Sequence, residues 1–250
     1  MSDFALDVAA NLAIAILGFT FGALFNRLRV TRRLRHVERL VPANRRVQLV
    51  LPSARIDSFH IKGQQGERAA QPPNVLMMPM PEGNGIAELV LALRALARRV
   101  DILLTTDEAV SPDCKLTISI GGPSVNLATR RLIGFHPQFQ ISYPEHVATH
   151  GAVTYDPERT LDGKLLEDYG FVLVHNDNGH TTIVCCGVWG TGTEAAIKGL
   201  LNLRDRKLAR QLRTCRNLFL AFHTRIDEFT ASEPVLKHVD DGERLISWHH

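Results

Sequence analysis

Four glycine-bearing segments hold the residues best placed to do chemistry. The first runs from Ser119 to Thr129: a short apolar run meets Gly121 and Gly122, then Pro123 and Ser124 open a helix. Ser124 suits the N-cap and Pro123 the first turn, and free backbone N–H groups together with the helix dipole favour an anion there. Phosphate is the natural guest, with Asn126 and Thr129 as added donors and Arg130 and Arg131 close by; a plain tight turn is the alternative. The second runs from Cys186 to Ala196 and repeats the order of apolar run, glycine turn and helix. Here Gly190 and Gly192 allow close backbone approach, Thr191 and Thr193 offer hydroxyls, and Ala195-Ala196 lets the helix pack tightly. The segment is neither a strict GxGxxG nor a Walker A loop, since no Gly-Lys-Ser/Thr follows. Trp189 could stack on a base or fill a core or an interface.

The third segment, Pro81 to Gly85, contributes Glu82 and Asn84, and the fourth, Pro52 to Arg55, contributes Ser53. If each lies at a strand end, the four converge on one ligand pocket. Catalytic constellations are thinner: there is no GxSxG elbow, no HExxH and no metal-spaced carboxylate pair, so no catalytic residue, metal or cofactor is assigned. Asp107-Glu108, Asp168 and Glu194 are the acids best placed for work, although at a helix N-terminus the dipole makes Glu194 a cap before an acid or base. His175, His180 and His223 read as structural. Cys114, Cys185, Cys186 and Cys215 show neither CxxC spacing nor histidine pairing suited to zinc, and read as reduced thiols with the 185-186 pair filling core. Trp248, His249 and His250 are assigned nothing.

These segments need elements to hold them. Val47 to Leu51 is a short apolar strand after the breakers Pro42 and Asn44, and residues 57–73, with Gly63, Gly66 and Pro72-Pro73, form a loop. Val75 to Met80 makes a second strand, and Ile86, Leu89, Val90, Leu93 and Leu96 recur at helical spacing before a strand from Val100 to Leu104. Strand, helix, strand at this spacing is a parallel crossover. Lys115 to Ile120 is a strand and Ser124 to Ile133 a helix, followed by short strands at 139–142 and 153–155. Phe171 to His175 and Thr181 to Gly187 form a hairpin around Asn176-Asp177-Asn178-Gly179. A helix from Thr193 to Leu203, a short basic helix from Lys207 to Leu212 and a strand from Asn217 to Ile226 complete the chain. The expectation is a mostly parallel, Rossmann-like sheet with helices on both faces, which places ligands at the carboxyl ends of its strands.

Ahead of this lies Phe4 to Phe25, an almost wholly apolar run of 22 residues. As a helix it spans roughly 33 Å, enough for one bilayer crossing. Asp3 and Asp7 precede it and Arg27, Arg29, Arg32, Arg33 and Arg35 follow, which favours a retained anchor with its arginine side inside over a cleaved signal or a buried core helix. At about 100° per residue, Asp7, Asn11, Ala15, Gly18 and Gly22 share one stripe, and the GxxxG pair suits helix association, with pore lining as a further option. The net charge of +3 hides an imbalance: between Arg27 and Arg46 eight arginines meet the single acid Glu38, so the remainder is acidic overall. That collar either touches anionic lipid or simply marks topology, and it lacks the interleaved aromatics of a nucleic-acid surface. The expected domains are therefore 1–40, a transmembrane helix with a basic juxtamembrane extension, and 41–250, a cytoplasmic α/β domain in a bacterial-type inner membrane.

In that order of parts the chain resembles the membrane-tethered nucleotide sensors of bacterial antiviral systems, a likeness of architecture that rests on no signature motif and carries no binding residue across. The resemblance implies a homo-oligomer whose cytoplasmic domain binds a phosphate-bearing, nucleotide-type ligand and alters the packing of membrane helices. The alternative is a membrane-anchored hydrolase or glycosyl-transferring enzyme acting on nucleotides, and a third possibility is an assembly module with no small ligand.

Overall fold

A computed structural model describes residues 35–52, 80–96, 100–106, 111, 113–143, 145–227, 230–242 and 245–247. A nine-stranded sheet organises them. Four strands run parallel in the order β2 (Asp101–Thr106), β1 (Arg46–Leu51), β3 (Leu116–Ile120) and β8 (His180–Gly187). Beyond β8 every pairing is antiparallel, through β7 (Glu167–Asp177), β9 (Asn217–Asp227), β11 (Val235–Asp240) and β12 (Leu245–Ser247), with β10 (Thr230–Ala231) on the far end of β9. The sheet is therefore mixed, and the expected mostly parallel Rossmann-like arrangement is corrected. The cause is physical: Phe171-Val172-Leu173-Val174 is buried on both faces, and such a run reports burial without reporting which way its neighbours point.

Burial alternates along the central strands. On β9, Leu218, Leu220 and Phe222 face one core and Phe219 and Ala221 face the other; Ile183 and Cys185 on β8 oppose Val184 and Cys186 in the same way. The first core is closed by α1 (Arg35–Glu38), α2 (Met80–Leu96), α4 (Gly190–Leu201) and α5 (Arg206–Thr214), through Val37, Leu89, Leu93, Ile197, Leu200, Leu208 and Leu212. The second is covered by a three-stranded antiparallel sheet, β4 (Phe139–Ser142), β5 (Val147–His150) and β6 (Val153–Tyr155), with Leu132 and Ile133 of the short α3 (Leu127–Ile133) beside it. The expected helices on both faces thus become four helices on one side, and a small sheet with one short helix on the other. Val37 and Leu40 lie in the first core, so packing begins before residue 41.

The hairpin is as expected: β7 and β8 pair through Asp177↔His180, with Asn178 and Gly179 at φ 48° and 78°, the turn those residue types favour. α2 differs, since it starts at Met80 and absorbs Pro81 to Gly85. Proline and an acid both suit a first helical turn, and Gly85 gains from lacking a side chain, because a Cβ there would sit 2.9 Å from Ile197 Cδ1 on α4. The rest of the expected strand at 75–80 lies outside the described residues.

The single-pass membrane assignment and the inner-membrane location are also corrected: among the described residues no helix is long and apolar enough to cross a membrane. The longest of them, α2, has 17 residues, carries Glu82, Glu88 and Arg94, and turns Leu89 and Leu93 into the core. Phe4 to Phe25 lies outside the described residues, and with it Asp7, Asn11, Ala15, Gly18 and Gly22.

Candidate functional site

The parallel strands end along one edge of the sheet, where β3 gives way to Gly121, β8 to Val188, and β7 begins antiparallel at the same level, with Gly170 opposite Gly187. The β4–β5 turn and the first turn of α2 reach this crest as well. Of the four sequence segments, three meet here; Ser53, like Asp107 and Glu108, lies outside the described residues.

The β8–α4 segment is largely occupied by the protein itself. Asp168, fully buried at the start of β7, takes the Thr191 hydroxyl at 2.6 Å and the Gly192 N–H on one oxygen, and the Tyr169 N–H at 2.8 Å on the other. A carboxylate from the neighbouring strand thus fills the helix N-terminus that sequence reasoning offers to a phosphate. Burial pushes the Asp168 carboxyl up to about 6, while the Thr191 hydroxyl and main-chain N–H groups pull the other way. The glycines serve packing. A Cβ on Gly187 would lie 2.3 Å from the Thr193 N, and one on Gly192 would lie 2.2 Å from the Tyr169 carbonyl. Gly190 opens α4. Glu194 does not cap the helix: it pairs with Lys198 at 2.8 Å and accepts the Ala231 N–H at 2.9 Å.

At the β3 end, Gly121 has φ 95°, a conformation that favours glycine, and the chain then enters α3. The cap is Asn126 rather than Ser124. Its Oδ1 accepts the Thr129 N–H at 3.1 Å, and its amide donates to the carbonyls of Ile120 at 2.8 Å and Val50 at 3.3 Å, tying the ends of β3 and β1. Thr129 bonds the Ser119 hydroxyl at 2.8 Å within the fold. Asn126 and Thr129 are therefore buried straps, while Ser124 and Asn84 are exposed.

What remains at the crest is a set of polar atoms with nothing to bond. Glu82 Oε2, the Tyr143 hydroxyl, His146 Nδ1 and Trp189 Nε1 are each buried without a hydrogen-bond partner. They come from three elements: α2, the β4–β5 turn and the β8–α4 connection. Tyr143 lies so close to Gly122 that a Cβ there would be 2.1 Å from the hydroxyl. Burial raises the phenol well above its ordinary value and Cys186 and Glu82 add to this; Ser124, close by but outside hydrogen-bond geometry, pulls the other way. His146 stacks on Trp189 at 4.0 Å between centroids, and the Arg159 guanidinium stands 5.0 Å from the Trp189 ring. Glu82 is 4% exposed. Burial pushes its carboxyl up to about 7 against the Thr193 hydroxyl, which favours the charged form.

Sequence reasoning named Glu82, Gly122, Ser124 and Thr193 but missed Tyr143 and His146, which sit on an irregular excursion with no motif. No signal in the sequence marked them; the structure holds His146 at φ 53° in a tight turn, unusual for a residue other than glycine. A second group of unpartnered polar atoms, His136 Nε2, His150 Nδ1 and the Tyr155 hydroxyl, lies between the two sheets, where His150 also bonds Asp240 at 2.7 Å. All three residues are almost completely enclosed. Among the described residues no cluster of histidine, cysteine or carboxylate is arranged to hold a metal.

Fold and site together define a mixed α/β domain with a donor-rich crest at the ends of its parallel strands. No family model, curated protein or solved structure matches this chain.

Proposed function

We propose that this chain binds a phosphate-bearing, nucleotide-type ligand at the crest formed by Glu82, Gly122, Ser124, Tyr143, His146, Trp189 and Thr193. The observation that carries the reading is that four buried polar atoms without partners sit on segments that reach this end of the sheet, Glu82 near Tyr143 and His146 stacked on Trp189. Folded proteins leave few such groups, because an unmade bond in a buried site costs about 1–3 kcal/mol. The Trp189 N–H can only donate, the Tyr143 and Ser124 hydroxyls and the exposed Arg159 are further donors, and together they suit an oxyanion. Glu82 is the one carboxyl in the set. The Trp189 ring already carries His146 and Arg159, so a base stacking on it must displace one of them. Asp168 and Glu194, the acids a nucleotide-processing enzyme would draw on, are committed to internal partners.

Isothermal titration of the full chain with AMP, ADP, cyclic AMP, cyclic di-AMP and pyrophosphate tests the reading. At least one should bind saturably, and Tyr143→Phe and Trp189→Phe should weaken that binding about tenfold or more, as expected for loss of a buried donor. A folded protein that binds none of the five overturns it.

A further inference from the structure

Glu82 stands out among the crest residues because its surroundings suit a neutral acid better than an anion. It is almost wholly buried, and none of the ion pairs among the described residues involves it. On α4, Glu194 is already held by Lys198 and the Ala231 N–H. The groups facing Glu82 are the Thr193 hydroxyl from α4, the Cys186 thiol from β8 and the Tyr143 phenol from the β4–β5 turn. Burial holds both the thiol and the phenol in their protonated forms. Asp168 is enclosed by its own donors. A carboxylate placed here has one hydroxyl to bond and no cation among the described residues, a costly state for a buried charge. A carboxylic acid placed here has an O–H to give, and at Oε2 no acceptor among the described residues takes it. Oε2 is the atom left over in either case.

An oxyanion completes this arrangement. A phosphate oxygen accepts the O–H of a neutral acid but repels a carboxylate, so the anion selects the protonated form and holds the proton between the two oxygens. We propose that Glu82 is a ligand-contacting residue that binds a phosphate oxygen as a neutral acid, donating its proton through Oε2, so that in alkaline solution ligand binding takes up a proton from solvent. This rests on the reading of the crest as a phosphate site. Burial pushes the carboxyl of the free protein up to about 7. Above that value the free protein has lost the proton that the complex needs, and affinity must fall with rising pH.

The test uses the full chain and two phosphodiester probes, cyclic AMP and cyclic di-AMP, because a phosphomonoester has an ionisation of its own near neutrality. Titration calorimetry at pH 8 in buffers of different ionisation enthalpy should show uptake approaching one proton, and the dissociation constant should rise about tenfold per pH unit above 7. Glu82→Gln keeps a donor and the shape of the side chain, so it should bind with little pH dependence and no linked proton. Binding without proton uptake by the natural chain, or uptake that persists in Glu82→Gln, overturns this inference and leaves the phosphate site standing. A folded chain that binds no phosphate probe at either pH 6 or pH 8 overturns the phosphate site and this inference with it. The proton count on the natural chain needs no variant, so a misfolded Glu82→Gln would not protect the idea.

Discussion

Residue types at the crest were legible before their jobs were. The Gly190-Thr191-Gly192-Thr193 segment reads as an anion cradle because a helix N-terminus with glycines and hydroxyls is one. The sequence could not show that Asp168, more than twenty residues upstream, folds back to fill it. Sequence distance hides such a cap, since only the register of β7 against β8 brings the two together. The consequence is a stability role for a residue that looks catalytic in the sequence. Asp168→Ala should remove an acceptor from the Thr191 hydroxyl and two main-chain N–H groups, leaving buried donors and an uncapped helix, at a cost of about 3 kcal/mol in urea unfolding. The sign of the pH effect follows from the carboxyl standing at about 6 in the fold against 3.8 in a free chain. The folded state holds this proton more tightly, so the contribution of Asp168 grows as pH falls from 6 towards 4, and the gap between natural chain and variant should widen there. A gap that closes in acid would contradict the burial argument.

Among elements, the regular ones with a clear period were readable and the irregular ones were not. The hairpin carried its own turn signal, and β1, β3 and β9 were bounded by breakers within a residue or two of where they lie. β5 and the C-terminal strands β10 to β12 were missed, being short and lacking sustained alternation. The seat of α4 on the sheet shows why glycine positions mislead: Gly192, which reads as part of a ligand loop, is there so that helix and strand backbones can touch. Its counterpart Gly170 on β7, which no motif marks, is the sharpest case of such contact, since a Cβ would lie 2.1 Å from the Gly192 carbonyl and 2.6 Å from the Ala196 N. Both obstacles are backbone and cannot swing aside. Gly170→Ala should therefore cost about 3 kcal/mol or abolish folding, at the upper end of what overpacking costs. At Gly83, in the first turns of α2, an added Cβ would meet nothing within 4 Å. Gly83→Ala should stabilise by about 0.5 kcal/mol, because alanine is the better helix former. Thermal unfolding of the pair reads both; equal effects would refute the packing account.

At the scale of the molecule, the sheet changes character at β8, where a parallel half built from crossovers joins an antiparallel half built from hairpins. The sequence suggested a crossover between strands at 75–80 and 100–104, whereas the parallel partner of β2 is β1, and the continuous apolar runs of the second half fitted either direction. Because the central strands are buried on both faces, the two cores are joined through the same backbone. β9 alone sends Leu220 to the helical side and Phe219 to the aromatic side, where Phe219 packs against Phe139 at 5.4 Å, Phe171 at 5.9 Å and His150 at 3.9 Å between ring centroids. Neither layer can be lost without exposing the strands that support the other. Urea unfolding followed by far-ultraviolet circular dichroism, dominated by the helical side, should therefore coincide with unfolding followed by Trp189 fluorescence in a Trp248→Phe background, since Trp189 packs against the small-sheet side. Phe219→Ala and Leu220→Ala should shift both signals together, by about 3–5 and 2–5 kcal/mol respectively, although they truncate opposite faces. Separate midpoints for the two probes would mean that the small sheet melts on its own, and the crest, whose Tyr143 and His146 it supplies, would then be assembled only while that layer is docked.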